Sequence, residues 1–327
     1  SIRRQRQMCI RDRYQEAPYD ERLVERSVFN SGLNYAKAKD WVRSIQSYDT
    51  LATYYPKSQY AIPSLENMAE NYVELEQYTN AANTYERVFT NYRETDNAET
   101  ALYNASFYYN KGENWQEAIN ANQKYIAAYP DKTYSTDLFF KNAGLYLKLD
   151  NVTEANRIYE EFAQKYPDDP RAVEAYYERG KYYLDNGMSD RAKSEFNSAI
   201  TKSETFRREG KDPNAFIAGE AVNALAGILH NDYMAIELKQ PASNVEAKKK
   251  ELSSTLRELN QTYTKVLSFG SPRSFEATYN IARSFEEYAQ KFSDQEMNPN
   301  LDQNKRFVER QKTVSYTHLR AHETKAN

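Results

Sequence analysis

The side chains able to do chemistry in this 327-residue chain are few and far apart. Cys9 is the one cysteine, and His230, His318 and His322 are the three histidines. Cys9 falls in an opening stretch, SIRRQRQMCIRDR (1–13), and two of the histidines in a closing one, SYTHLRAHETKAN (315–327). Both stretches resemble translated sequencing-adapter DNA and are set aside as non-native. What is left is His230 alone, in GILHNDY, with no second ligand at metal spacing and no disulfide framework. A lone histidine of this kind reads as a surface or hydrogen-bonded group. Acid–base work would need carboxylates brought together with tuned proton affinities. The adjacent pairs Glu160–Glu161 and Asp168–Asp169 instead read as solvated second-helix surfaces and helix-start caps. The 9 glycines are too dispersed to cradle a phosphate, and neither G-x-x-x-x-G-K-[ST] nor G-x-G-x-x-G occurs. The expectation is a protein that is not an enzyme, with no catalytic residues, no cofactor and no metal.

Charge points the same way. The opening stretch carries five Arg against Asp12 (+4) and the closing one Arg320 and Lys325 against Glu323 (+1), so without them the formal charge falls from -3 to -8. An acidic body is a poor match for a phosphate backbone, so nucleic acid is not an expected partner. No apolar run of about 18 residues occurs, so no membrane span is expected in this fragment. With 10 Pro and 9 Gly against 29 Tyr and 14 Phe, helix breakers are scarce and large packing units abundant, which favours helices.

The elements that position the remaining residues follow from an internal period of 37. Tyr35, Tyr72, Tyr109, Tyr146 and Tyr183 stand 37 apart, and three residues before each lies a small side chain: Gly32, Ala69, Ser106, Ala143 and Gly180. Ser44, Ala81, Ala118, Ala155 and Ala192 form a second small set, nine residues after each Tyr. Val28, Leu65, Leu102, Phe139 and Tyr176 share the phase, as do Leu51, Val88, Tyr125, Phe162 and Ala199. Large and small positions recur at three and four residues, which puts them on one face of a helix. Each unit therefore reads as two antiparallel helices, with small residues where the backbones approach. Pro56, Pro130 and Pro167 stop the second helix, with Arg93 in that place once.

This order of large, Gly/Ala and Tyr on a first helix, then Ala, aromatic and Ala on a second, then Pro, resembles the tetratricopeptide repeat, with 37 residues in place of the usual 34. The resemblance covers residues 14–203 closely. It implies an all-α fold, a right-handed superhelical solenoid of antiparallel helix pairs. The junctions KSQYA, ETDNAE, DKTYST and DDPRA resemble those of bacterial envelope repeat proteins, such as the outer-membrane assembly lipoprotein and the Tol-Pal-associated periplasmic protein. The expected organisation is 1–13 non-native, 14–210 five repeats, 211–314 a longer helical hairpin and a degenerate repeat, and 315–327 non-native. Helices are expected over 213–238, 244–267 and 271–292, the last with Phe275, Ala282 and Phe285 in the Leu/Ala/Tyr places.

In the resembled family the first helices line a groove, at positions three before and one after the small residue. Here these are Phe29 and Leu33, Glu66 and Glu70, Tyr103 and Phe107, Phe140 and Gly144, Tyr177 and Lys181, with Val73, Leu147 and Leu184 extending the stripe. Aromatic side chains bury much area at low entropic cost, so the stripe suits an apolar or extended peptide. The same residues could pack on the neighbouring repeat instead. A clamp for a C-terminal carboxylate would need Lys and Asn here and is not expected. The function implied is a protein-interaction scaffold for other proteins or peptides, in a periplasmic or outer-membrane-associated complex, with room for a lipid anchor on a missing N-terminus. A cytoplasmic adaptor, or the repeat region of a larger protein with a catalytic domain in its flanks, stands as the alternative.

Overall fold

The computed structural model describes residues 21–238, 245–269 and 272–295; the two end stretches set aside above, and residues 296–314, lie outside the described residues. Among the described residues the fold is all-α, with thirteen helices and no strand. Two compact units divide the chain, Ser1–Asn151 and Val152–Asn327. Unit 1 holds α1 (Glu21–Lys37), α2 (Trp41–Tyr54), α3 (Ala61–Glu74), α4 (Tyr78–Asn91), α5 (Asn97–Lys111), α6 (Trp115–Ala128) and α7 (Thr133–Lys148). Unit 2 holds α8 (Val152–Lys165), α9 (Arg171–Asp185), α10 (Ser189–Arg208), α11 (Ala215–Ala235), α12 (Val245–Ser268) and α13 (Ser274–Gln295). Within each unit every helix packs on the next along the chain, and α1 also touches α3 and α9 touches α11.

Helix pairs turn the same way each time because the repeating Tyr supplies the acceptor. The amides of Asp40, Gln77, Asn114, Asn151 and Met188 donate to the carbonyls of Tyr35, Tyr72, Tyr109, Tyr146 and Tyr183, at 2.8–2.9 Å. This six-to-one bond closes the helix end and forces the residue before the donor into the left-handed region. Lys39, Glu76, Glu113, Asp150 and Gly187 hold that place, with φ of 59, 58, 60, 55 and 71. Only the last is glycine, so four of the five turns carry backbone strain that a glycine would not. Between pairs the chain makes two consecutive turns: the amides of Ser58, Thr95, Lys132 and Asp169 donate to Tyr55, Tyr92, Tyr129 and Tyr166, and those of Ala61, Ala98, Ser135 and Ala172 donate back to the first four.

At the helix crossings all the small residues are buried. A Cβ on Gly32 would lie 2.5 Å from the Tyr48 ring, and one on Gly180 2.5 Å from the Phe196 ring. Ala69 coexists with Tyr85 because that ring stacks away on Tyr108, 5.6 Å between centroids. In the third pair the ring is replaced by Asn122, which accepts from the Ser106 hydroxyl and donates to Asn142 Oδ1 at 2.7 Å. In the first pair Ser44 donates to Gly32 O at 2.8 Å and accepts from Asn71 Nδ2 at 2.7 Å. These bonds satisfy polar groups that would otherwise be costly in the core. The repeating Tyr is half-buried at 35, 72, 146 and 183 and fully buried at 109, whose hydroxyl lies 2.6 Å from Asn83 Oδ1 and 2.8 Å from Glu86 Oε2.

Unit 2 ends in three longer helices around Phe206, Tyr233, Leu252 and Leu259. Lys291 Nζ caps the end of α11 by donating to Met234 O (2.9 Å) and Ile236 O (2.7 Å). The phase expected for the last helix is used only in part: Phe285 packs against the core, but Phe275 is 91% exposed and Ala282 is exposed, while Ala277 and Ser284 are buried. The cause is the partner. Here α13 packs on the α11–α12 pair, with the Tyr233 hydroxyl donating to Ser284 O at 3.2 Å, so the face towards that pair is the buried one.

Candidate partner-binding face

The groove positions of unit 1 lie on the first helices α1, α3, α5 and α7, and the next repeat's junction holds their leading members in place. Phe29 stacks on Tyr60 (4.9 Å between centroids), Glu66 Oε1 accepts from Asn97 Nδ2 (2.8 Å), and Tyr103 packs on Tyr134 (4.7 Å). Residues 60, 97 and 134 are themselves 37 apart, a spacing in the sequence that would have identified them. Neighbour packing therefore claims one face of Phe29 and Tyr103. What the rows leave to solvent is Phe107, 50% exposed, together with exposed Glu70 and Leu147 and the half-buried Leu33 and Phe140. Gly144 leaves a gap in the row, since a Cβ there would meet nothing within 4 Å.

In unit 2 the corresponding residues are Tyr177 and Lys181 on α9. Tyr177 is half-buried, its ring 5.9 Å from that of Phe196, and burial pushes its hydroxyl above the usual tyrosine range. Lys181 Nζ sits 5.5 Å over the Tyr177 ring and 2.9 Å from Glu178, so its charge is already met. Each set belongs to its own unit: the exposed apolar groups are Phe107 and Leu147 in unit 1 and Leu184, at the place of Leu147, in unit 2.

Around this face the electrostatics serve the scaffold. Tyr125, fully buried, donates to Glu99 Oε1 at 2.8 Å, and Lys132 Nζ lies 2.8 Å from Glu99 Oε2. The Lys132 ammonium, with help from the Tyr125 hydroxyl, holds the Glu99 carboxyl below the ordinary glutamate range. In unit 2, Arg179 is 9% exposed and reaches Glu195 at 3.2 Å and Glu160 at 3.5 Å. Glu160 is thus an ion-pair partner where the sequence suggested solvated surface, and Asp169 accepts from the Arg171 amide at the start of α9 and from its guanidinium.

His230 joins the three long helices. Its Nε2 lies 3.2 Å from Glu287 Oε2 and its Nδ1 3.3 Å from the Tyr263 hydroxyl, while Arg283 Nε pairs with Glu287 Oε1 at 2.8 Å. Every partner is a neighbouring side chain of the bundle, and the arrangement is a packing clasp. Among the described residues no group of three or more His, Cys, Asp or Glu could hold a metal ion. An open, polar cavity of about 450 Å³ lies at the hairpin turns Glu76–Asn80 and Lys111–Glu113.

Two sequence profiles match the chain, both described as Tetratricopeptide repeat: one over residues 67–133 and 140–205, the other over 26–58. Together they span just over half of it. No curated protein matches the sequence. Among solved structures, that of MamA is 20% identical, covering 54% of this chain and 96% of that one at a TM-score of 0.35. A tetratricopeptide repeat protein from Parabacteroides merdae ATCC 43184 is 13% identical, covering 80% of this chain and 98% of that one, also at a TM-score of 0.35.

Proposed function

Because this chain belongs to the tetratricopeptide repeat family, whose repeats form protein–protein interaction scaffolds, we propose that it is a non-enzymatic scaffold whose first-helix face in unit 1 holds a segment of another protein. The observation that carries this reading is the half-exposed Phe107, lying between the rows of Leu33 and Leu147. An exposed phenylalanine flanked by apolar side chains and rimmed by charge is the composition of a docking surface. Within this reading the scaffold works in a bacterial envelope complex. What supports that address is the likeness of the four junctions to those of envelope repeat proteins. No helix among the described residues is long and apolar enough to cross a membrane.

Affinity capture from the envelope fraction of the source organism tests both parts, using the wild type beside Phe107→Ala and Leu147→Ala. The reading expects one captured protein to be lost from the variants while their helical circular dichroism stays unchanged. Capture of the same set by all three refutes the face, and recovery of the native protein in the cytosolic fraction refutes the address.

A further inference from the structure

The middle helix of the unit 1 face differs from its neighbours. At the two groove positions and the one a turn later, α1 carries Phe29, Leu33 and Lys37, α5 carries Tyr103, Phe107 and Lys111, and α7 carries Phe140, Gly144 and Lys148. The same three places on α3 are Glu66, Glu70 and Glu74. Carboxylates at every fourth residue lie along one helix face about 6 Å apart, a spacing at which like charges repel and weaken the helix. Among the described residues none of the three has an ion-pair partner; Glu66 accepts a neutral hydrogen bond from Asn97. Of the lysines at the last of these places, Lys111 Nζ lies 4.4 Å over the Tyr78 ring and Lys148 Nζ 3.9 Å over Trp115, and Lys37 is exposed to solvent. Glu70 and Glu74 are exposed and Glu66 half-buried, so the row presents unpaired negative charge beside the apolar side chains of the flanking helices.

Resting on the reading of this face as a partner site, we infer that its occupant is a cationic amphipathic segment. Its Lys or Arg side chains, spaced about 6 Å apart, face the carboxylate row of α3. Apolar side chains on either flank face Phe29 and Leu33 on one side and Phe107 on the other. Complementary charge sets register and speeds encounter, and the apolar flanks supply the buried area.

The test is fluorescence anisotropy on the full chain. The probe is a fluorescein-labelled synthetic helical peptide with Lys at every fourth position and Leu or Phe beside each, and the control is the same peptide with Glu for Lys. The lysine peptide should bind and the glutamate peptide should not, and raising salt from about 50 to about 300 mM should weaken binding severalfold as screening grows. The triple variant Glu66→Gln/Glu70→Gln/Glu74→Gln, which keeps shape and relieves repulsion, should stay folded and lose roughly tenfold in affinity. Binding by the triple variant at wild-type strength, equal binding of both peptides, or no binding of the lysine peptide would each overturn the inference. If the triple variant is unaffected while Phe107→Ala weakens binding, the partner face survives and its charge preference does not. If neither weakens it, both fail.

Discussion

Two Gly→Ala substitutions in unit 2, identical in chemistry, should move stability in opposite directions. A Cβ on Gly180 would lie 2.5 Å from Phe196 Cε1 and 2.6 Å from Cδ1. Carbon atoms pack at about 3.5–4.0 Å, so the ring would have to retreat by about 1 Å from a site where it is fully buried. Overpacking of this kind costs about 1–3 kcal/mol, and replacing a helical glycine returns about 0.5–1 kcal/mol. Gly180→Ala should therefore destabilise by about 1–2 kcal/mol. Gly227, on the exposed side of α11, meets nothing within 4 Å, so Gly227→Ala should stabilise by about 0.5–1 kcal/mol. Urea unfolding followed by circular dichroism gives the signs, and hydrogen exchange should locate the Gly180→Ala loss in α9 and α10. Adding Phe196→Leu should recover about 1 kcal/mol relative to additivity. A neutral or stabilising Gly180→Ala would refute the argument, showing that Phe196 can turn aside as Tyr85 does next to Ala69.

Three further substitutions address the turns and the charges. Gly187→Ala places a side chain at φ 71 and should cost about 1 kcal/mol, while Glu113→Gly at φ 60 should be neutral or slightly stabilising, both read from thermal melts. Arg179→Ala strips the cation from the half-buried Glu195, whose carboxyl burial already pushes above the ordinary range despite that guanidinium; a loss of about 3 kcal/mol in urea is expected. Glu99 has the opposite sign. Its carboxyl is held low by Lys132, so its contribution is present above the ordinary glutamate range and is lost as pH falls through the depressed folded value. Glu99→Gln should accordingly be less stable than wild type at neutral pH and converge with it in acid, which melts from pH 7 to pH 3 would follow.

The helical pairs could be read from the amino-acid order because every copy solves the same local problems. A tyrosine whose carbonyl closes the turn, a small residue at the crossing and a proline after the second helix recur since each is the cheapest answer to a backbone constraint. The left-handed turn position was not readable, because Lys39, Glu76, Glu113 and Asp150 give no hint of the φ imposed on them and only Gly187 does. The groove was half readable. Spacing located Phe29, Tyr103 and Phe107, but the exposure of the first two depends on Tyr60 and Tyr134 arriving from the following repeat, which pairwise packing decides. For α13 the helix itself was foreseen and its buried face was not, because Ala277 and Ala282 fit a repeat equally well and only contact with α11 and α12 chooses between them.

Comparing the copies with one another separates the two tasks of the chain. Crossing positions vary as pairs: Gly32 with Tyr48, Ala69 with Tyr85, Ser106 with Asn122 and Gly180 with Phe196. Only the third pair changes both members, to Ser106 and Asn122; in the others a small residue faces a ring. The first-helix places at 29, 66, 103, 140 and 177 vary from Phe to Glu to Tyr, and those at 33, 70, 107, 144 and 181 from Leu to Glu to Phe to Gly to Lys, with no such matching inside the pair. Freedom of that kind is available only where a side chain answers to something other than its own repeat. At 29, 66 and 103 that something is in part the next repeat, through Tyr60, Asn97 and Tyr134. A repeat-swap that moves α3 and α4 as a block should leave folding intact and carry its carboxylate row with it.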